Sequence, residues 1–464
     1  MAIVLVNPLV DKAKIYGRYH KLGGALPPLG LAYIAAVLLK NGHEVKIIDA
    51  NVLGLSDDAV VSQVKSLDPD MIGLTATTLS HFSATELALA FKESGIGCPI
   101  VLGGPHVLGM EHESLREPCF DYAISGEGEQ TMLELANAVL KHAPVEAIKG
   151  LVHRNGSTIT YNGDRGPIPD LDQLPFPARH LLPDLNLYRP KAISYKRLPS
   201  THLFTSRGCP YKCIFCRTAF GRDVRFHNYQ YTIAEIQHLI SDFGIKEFII
   251  NDDTFILDRT RVLAFCQSIK EMNIDITWSC NIRANLVDRE LLIKMKEAGC
   301  WEVAIGLESG NQQILNSLKK GITLEQGRKA CQLAYEAGLY VRPSFILGSP
   351  GETHETIEQT IDFAKSLPVH YPTFSLMTPF PGTEIWERAD EWGVFDRQNL
   401  SKLSLSTTAS FVPHGLSAAY LEQCIKLAYK RTYFRPSMVA RHLSKIRSFS
   451  DIHKLLRGAV ALWQ

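Results

Sequence analysis

The chain has 464 residues, 45% of them hydrophobic and 21% charged, with a net charge of +1. That length exceeds one ordinary domain and predicts two or three. The composition is that of a globular protein; no run approaches the ~20 apolar residues that span a bilayer, and the near-zero charge leaves no bulk electrostatic footprint for nucleic acid.

Residues 1–144 alternate strand and helix signals. Apolar runs of strand length lie at Ile3–Val6, Val45–Asp49, Met71–Leu74, Ile100–Leu102 and Tyr122–Ile124. Helical patterns fall between or after them at Leu29–Lys40, Asp57–Ser66, Ser83–Glu93 and Glu129–Lys141. Such alternation predicts a doubly wound, flavodoxin-like parallel sheet covered on both faces. Ligands of that fold sit beyond the carboxyl ends of the strands. The loops there contain Pro8, Thr75 and Thr77, Gly103 and Gly104, and Gly126 with Glu127. The first strand follows Met1 with no apolar leader, and the expectation is a reducing, cytoplasmic location where disulfides are rare.

Residues 145–200 are proline-rich and weakly periodic, which predicts an extended strap. A second alternating block occupies 201–390, with strands at His202–Thr205, Glu247–Asn251, Ile276–Cys280, Glu302–Gly306, Val341–Leu347 and Thr373–Thr378. Thr232-x-x-Glu235 and Thr323-x-x-Gln326 fit capping boxes. Six strand–helix units predict a partial TIM-type (β/α)6 barrel, whose reactive groups stand at the C-terminal ends of the strands. From about Asn399 only helices are expected, at 417–432 and 437–447. Nine Lys or Arg and one acid fall between Lys426 and Gln464. A solvated face explains that excess; peripheral contact with an anionic membrane is the alternative.

The first strand of the second block runs into Cys209-Pro-Tyr-Lys-Cys213-Ile-Phe215-Cys216, a C-x3-C-x2-C spacing. Three thiolates on one loop can hold three irons of a [4Fe–4S] cluster and leave the fourth open. Zinc is the rival, with His202 or His227 as fourth ligand, although no second cysteine pair lies nearby. The other seven cysteines are scattered singly. Asp252 and Asp253, Arg283, Glu308 with Ser309, and Gly348 fall after successive strands, at the same rim.

The barrel block resembles the radical S-adenosylmethionine superfamily, whose signature C-x3-C-x-aromatic-C is matched with Phe215 as the aromatic. Asn251-Asp252-Asp253-Thr254-Phe255, Gly306-Leu307-Glu308-Ser309-Gly310, Phe345-Ile346-Leu347-Gly348-Ser349-Pro350-Gly351-Glu352 and Pro379-Phe380-Pro381-Gly382-Thr383 are similar to the subgroup with an N-terminal cobalamin-binding domain. So are Pro27-Pro28-Leu29-Gly30, Gly103-Gly104-Pro105-His106 and Gly126-Glu127-Gly128-Glu129. The likeness covers residues 1 to about 390. It implies three cofactors: a [4Fe–4S] cluster on Cys209, Cys213 and Cys216, S-adenosylmethionine, and cobalamin. It also implies anaerobic chemistry on a small-molecule substrate, with a flavodoxin or ferredoxin as electron donor. One departure concerns cobalt. The D-x-H-x-x-G motif of many cobalamin modules is absent; the nearest string, Asp49-Ala50-Asn51-Val52-Leu53-Gly54, has asparagine in place of histidine, so no protein histidine is expected on cobalt.

Each candidate has a structural alternative. Asp252 and Asp253 accept from the methionyl amino group, or cap the next helix. Glu308 and Ser309 hold the ribose or methionyl end, or form a strand-end ion pair. Arg283 and Arg342 pair with a carboxylate, or with a protein acid. Phe215 and Gly348 complete the S-adenosylmethionine set. For cobalamin the set is Pro8, Thr75, Thr77, Gly103, Gly104, Gly126 and Glu127; plain turns and a helix start are the alternatives. His106 reads as a polar loop group. Three functions follow: methyl transfer to an unactivated carbon of a small or lipid-like metabolite, radical cyclisation, rearrangement or oxidation without methyl transfer, and a non-catalytic cobalamin or redox sensor. A methylthiotransferase would need three thiolates in the N-terminal domain, where only Cys98 and Cys119 lie.

Overall fold

The computed structural model describes residues 1–11, 24–191, 194–436 and 438. The first sheet has seven strands: β1 (Ala2–Asn7), β2 (Glu44–Asp49), β3 (Met71–Thr75), β4 (Ile100–Gly103), β5 (Tyr122–Ile124), β6 (Leu151–Asn155) and β7 (Thr158–Tyr161), in the order β2-β1-β3-β4-β5-β6-β7. The first five are parallel and give the expected doubly wound order. Helices α1 (Leu29–Lys40), α2 (Asp57–Leu67), α3 (His81–Glu93) and α4 (Gly128–Lys141) cover it. Val4, Val6, Ile72 and Leu74 alternate with Ile3, Leu5 and Met71 into two cores, one on each face, which is why the middles of these strands are continuously apolar.

The sheet does not stop at residue 144. Strand β6 pairs antiparallel with its edge and β7 with β6, so part of the expected strap is a hairpin; its two-residue turn, Gly156-Ser157, is a short-range hairpin signal. The rest of the segment is docked as well. Leu171, Leu174, Ala178, Leu182, Leu185 and Tyr188 are buried in the core that also takes side chains from both sheets. Arg179, fully buried, donates to Glu235 Oε1 at 2.7 Å and to the His202 carbonyl at 3.0 Å. The prolines therefore fix a packed path between the two sheets.

The second sheet is parallel, with β8 (Ser200–Leu203), β11 (Glu247–Ile250), β12 (Thr277–Ile282), β13 (Cys300–Glu308), β14 (Tyr340–Leu347) and β15 (Thr373–Leu376) in sequential order. Between β8 and β11 a small antiparallel pair forms from β9 (Ser206–Arg207) and β10 (Arg225–Phe226). The intervening helices include α5 (Tyr229–Phe243), α6 (Arg259–Glu271), α7 (Arg289–Glu297), α8 (Gln312–Ser317), α9 (Leu324–Glu336) and α10 (His354–Ser366). The Thr323–Gln326 capping box forms as expected. The one at Thr232 does not: Asn228, four residues earlier, caps α5 by accepting from Tyr231 N, and Glu235 turns inward to Arg179 instead.

Beyond Asn399 the expectation of helices alone fails, because β17 (Phe411–Pro413) pairs with β16 (Gly393–Phe395). The helix expected at 417–432 is α11 (Ala418–Tyr433), packed on α10 and β15. The second expected helix and most of the basic segment lie outside the described residues. Among the described residues no helix is long and apolar enough to cross a membrane.

Candidate functional site

The chain leaves β8, turns at Thr205 and Ser206, and enters the cysteine loop. Backbone bonds hold that loop: Cys209 N donates to the Gly221 carbonyl, Ile214 N to Leu318 and Cys216 N to Cys213, each at 3.1 Å. All three cysteines line one cavity of about 270 Å³ at the carboxyl ends of the second sheet. Among the described residues no three His, Cys, Asp or Glu side chains converge on a single ion. A cubic cluster asks for something else, one thiolate on each of three irons, and the loop supplies that donor set. His202 and His227 do not line this cavity. His227 sits 2.9 Å from Asp172 and stacks on Tyr231, so the zinc alternative lacks its fourth ligand.

The same cavity is lined by Phe215, Asp253, Arg283, Glu308 and Arg342, as the sequence suggested. Arg283 is buried, its guanidinium lies 3.4 Å over the Tyr211 ring, and among the described residues its Nε and Nη2 have no acceptor. Buried guanidinium donors without a partner are costly, and a carboxylate matches them. These residues fit the methionyl carboxylate of S-adenosylmethionine beside the cysteine loop. Glu308 ends β13 with φ of 63° and pairs with buried Lys320 at 2.7 Å. Gly306 makes room for that carboxylate, since a Cβ there would stand 2.4 Å from Glu308 Oε1.

Three expected ligands lie elsewhere. Asp252 is fully buried; its two oxygens accept from Thr205 N at 2.7 Å, Thr205 Oγ1 at 2.6 Å and Ser206 Oγ at 2.6 Å. It fastens β11 to the start of the cysteine loop. It is not a helix cap either, because Asp258 caps α6. Ser309 bonds Thr360 Oγ1 and accepts from Asn311 N, inside the protein. Gly348, with φ of 84°, donates to Glu352 Oε2 and packs near Leu421 of α11.

A second cavity, about 390 Å³, lies at the carboxyl ends of the first sheet. Thr75, Gly103, Gly104, Gly126 and Glu127 line it, above an apolar floor that includes Leu5, Val101 and Met132. Gly104 has φ of 94°, and a Cβ there would meet the Ala76 carbonyl at 2.6 Å. A loop so stripped lets a bulky ligand lie on backbone. This fits a corrin face, and among the described residues no histidine lines the cavity. Pro8 is buried away from it, and Thr77 instead bonds Ser80 at the start of α3. Asp49 of the D-x-H-x-x-G remnant accepts from Asn7 and from the Tyr188 hydroxyl at 2.7 Å, a structural anchor. His106 stacks on His81 at 3.9 Å, and burial, then the neighbouring His81, pushes it down to about 3.

The two cavities meet. Asp253 lines both, and Phe204, Ser206, Arg207 and Phe220 of the second block form one wall of the N-terminal cavity. The seam is locked by a buried ion cluster in which Arg207 binds Glu127 at 2.9 Å and Glu129 at 2.6 Å, while Arg225 reaches Glu127 at 2.6 Å. The Arg207 guanidinium also lies over Tyr33 and Phe220. Glu127 thus holds the domains together, a role read neither as corrin contact nor as helix start. Sequence reasoning missed Arg207, although it stands two residues before Cys209. Lys320 and Tyr211 were missed too, and no spacing marks them.

Comparison with known proteins matches this geometry. The family model for a B12 binding domain matches residues 18–136, and that of the radical SAM superfamily matches 203–364. An uncharacterized methyltransferase of Pyrococcus horikoshii is 34% identical over 100% of this chain and 99% of its own length. The anaerobic magnesium-protoporphyrin IX monomethyl ester cyclase of Rubrivivax gelatinosus is 30% identical over 82% of this chain and 70% of its own. Two solved structures share the fold. The radical S-adenosylmethionine methyltransferase TsrM from Kitasatospora setae, with cobalamin and [4Fe–4S] cluster bound, superposes with TM-score 0.71 at 18% identity over 94% of this chain and 89% of its own. OxsB, with aqua-cobalamin and S-adenosylmethionine bound, gives 0.75 at 18% identity over 98% and 70%. The chain belongs to the cobalamin-binding radical S-adenosylmethionine family, whose cofactors are a [4Fe–4S] cluster, S-adenosylmethionine and cobalamin.

Proposed function

We propose that the protein is a methyltransferase acting on an unactivated carbon of a small-molecule metabolite. The observation that carries this is the junction at Asp253, the residue that walls both the cysteine-lined cavity and the glycine-lined one. When bound, S-adenosylmethionine on the reduced cluster supplies hydrogen-atom abstraction, and cobalamin supplies a transferable methyl group. The chain's part is to place both against one substrate atom and to keep water out. Cys209, Cys213 and Cys216 hold three irons and leave one open. Arg283 pairs with the methionyl carboxylate, Asp253 accepts from the amino group, and the Glu308–Lys320 pair faces the ribose. Arg207, Glu127 and Glu129 seal the seam beside the junction. A small redox protein such as flavodoxin or ferredoxin delivers the electron, in the cytoplasm.

A relative named as a methyltransferase at 34% identity along the whole chain supports methyl transfer. The cyclase relative at 30% identity favours a second reading, radical ring closure on the same scaffold. Anaerobic turnover separates them. Methyl transfer yields S-adenosylhomocysteine together with 5′-deoxyadenosine; ring closure yields 5′-deoxyadenosine alone; a sensor cleaves nothing.

A further inference from the structure

The barrel carries more guanidinium than the cofactor can use. S-Adenosylmethionine presents one carboxylate, yet Arg283 and Arg342 both line the cavity, Arg283 with two buried donors that meet no acceptor among the described residues. Their depths differ. Arg342 is the third residue of β14 and lies in register with Ala304, which pairs with Asn281 of β12. Arg283 follows Asn281 by two residues, so Arg342 stands one pleat repeat, ~6–7 Å, deeper along the strands. Stacking on Tyr211, between Cys209 and Cys213, ties Arg283 to the cluster loop and hence to the cofactor.

Arg342 has no such tie. Its Nε donates to buried Glu302 at 2.9 Å, and among the described residues Nη1 and Nη2 meet no acceptor. Ser344, two residues on and on the same face, and Asn281 line the cavity beside it. An arginine held at Nε, with its paired Nη edge open to the cavity, matches a planar or tetrahedral oxyanion. A hydrocarbon substrate would bury that edge without an acceptor.

We propose that Arg342 is a substrate-binding residue and that the substrate carries an oxyanion, a carboxylate or a phosphate, seated at the deep end of the barrel. The inference rests on the reading that S-adenosylmethionine occupies the rim at Arg283. Glu302 acts through Arg342, holding its Nε so that the Nη edge faces the cavity.

The test is equilibrium dialysis of the anaerobically reconstituted holoenzyme, saturated with S-adenosylmethionine, against labelled inorganic phosphate and, separately, labelled succinate at constant chloride. At least one probe is expected to bind saturably, once per chain, and the tighter of the two identifies the oxyanion. Arg342→Met alone would strand the Glu302 carboxylate, so the double variant Arg342→Met with Glu302→Gln is used; binding is expected to weaken at least tenfold. Glu302→Gln alone removes the competing charge and is expected to tighten it. Absence of saturable binding to both probes overturns the proposal, as does a double variant that binds like the parent. If the double variant does not load iron and cobalt, Glu302→Gln decides alone, and unchanged or weaker binding there is the negative result. None of these readouts counts methylated product, so failure here is distinct from failure of the methyl-transfer reading.

Discussion

Asp252 and Asp253 are adjacent, yet the fold gives them opposite work. The strand ending at Ile250 sends Asp252 into the protein, against three donors, and Asp253 out to both cavities. Replacing Asp252 by Ala strands those donors and should cost about 3 kcal/mol or more of stability, since hydrogen bonds to a charged group contribute ~1.5–3 kcal/mol each. Asp253→Ala should leave the urea midpoint nearly unchanged and raise the KM for S-adenosylmethionine about tenfold, one charge-assisted hydrogen bond's worth. Denaturation midpoints and initial rates on both variants check the pair; equal loss of stability would refute the contrast. Glu352 makes a third prediction. Burial, offset in part by the Ser349 and Gly348 amides, pushes its carboxyl up to about 8, and among the described residues its Oε1 has no partner. The folded state therefore holds a proton that the unfolded state releases near pH 4.5, and stability should fall as pH rises from about 5 to 8. Glu352→Gln should flatten that slope in urea midpoints measured from pH 5 to 8; an unchanged slope would remove Glu352 as its source. The sequence identified residues of the right chemistry but not which way each points. Asp252 and Ser309 sit in matched motifs and still face inward, because a strand end turns alternate side chains to opposite sides.

At the scale of elements, short-range signals carried far. Every expected strand and each helix of the first block appears within about two residues of its expected bounds, because continuous apolar runs and 3.6-residue periodicity are local properties. The hairpin of β6 and β7 was hidden by its setting: it joins a sheet edge, so its outer positions are half-buried and mixed in character. The ion cluster at the domain seam was hidden for another reason. Arg207 and Glu129 are 78 residues apart, and pairing across that distance leaves no spacing to read. That cluster yields the fourth prediction. Arg207→Met leaves Glu127 and Glu129 buried with one guanidinium fewer, and removing one member of a buried ion pair costs ~3–5 kcal/mol. Its thermal midpoint should drop by several degrees and cobalamin should dissociate faster, because Arg207 walls the second cavity. Glu129→Gln added to that variant should restore part of the loss, and absence of any rescue would show that the charge pairing is not what holds the seam.

Across the whole molecule, two sheets turn their carboxyl ends toward one another, so two ligand cavities that each fold would build alone share a wall. The docked connector fixes that arrangement through Arg179 and the apolar residues from Leu171 to Tyr188. Both cofactor modules were legible in the sequence from their loops; their junction at Asp253 was not, since it depends on how the sheets face. Their shared wall implies that the two cavities act on one substrate atom. The direct measurement is anaerobic turnover of the holoenzyme with S-adenosylmethionine trideuterated in its methyl group, followed by mass spectrometry. The predicted result is a product carrying the intact trideuteromethyl group, with S-adenosylhomocysteine and 5′-deoxyadenosine formed in step with it. A consumed substrate that gains no label, with 5′-deoxyadenosine as the sole cofactor product, would contradict it.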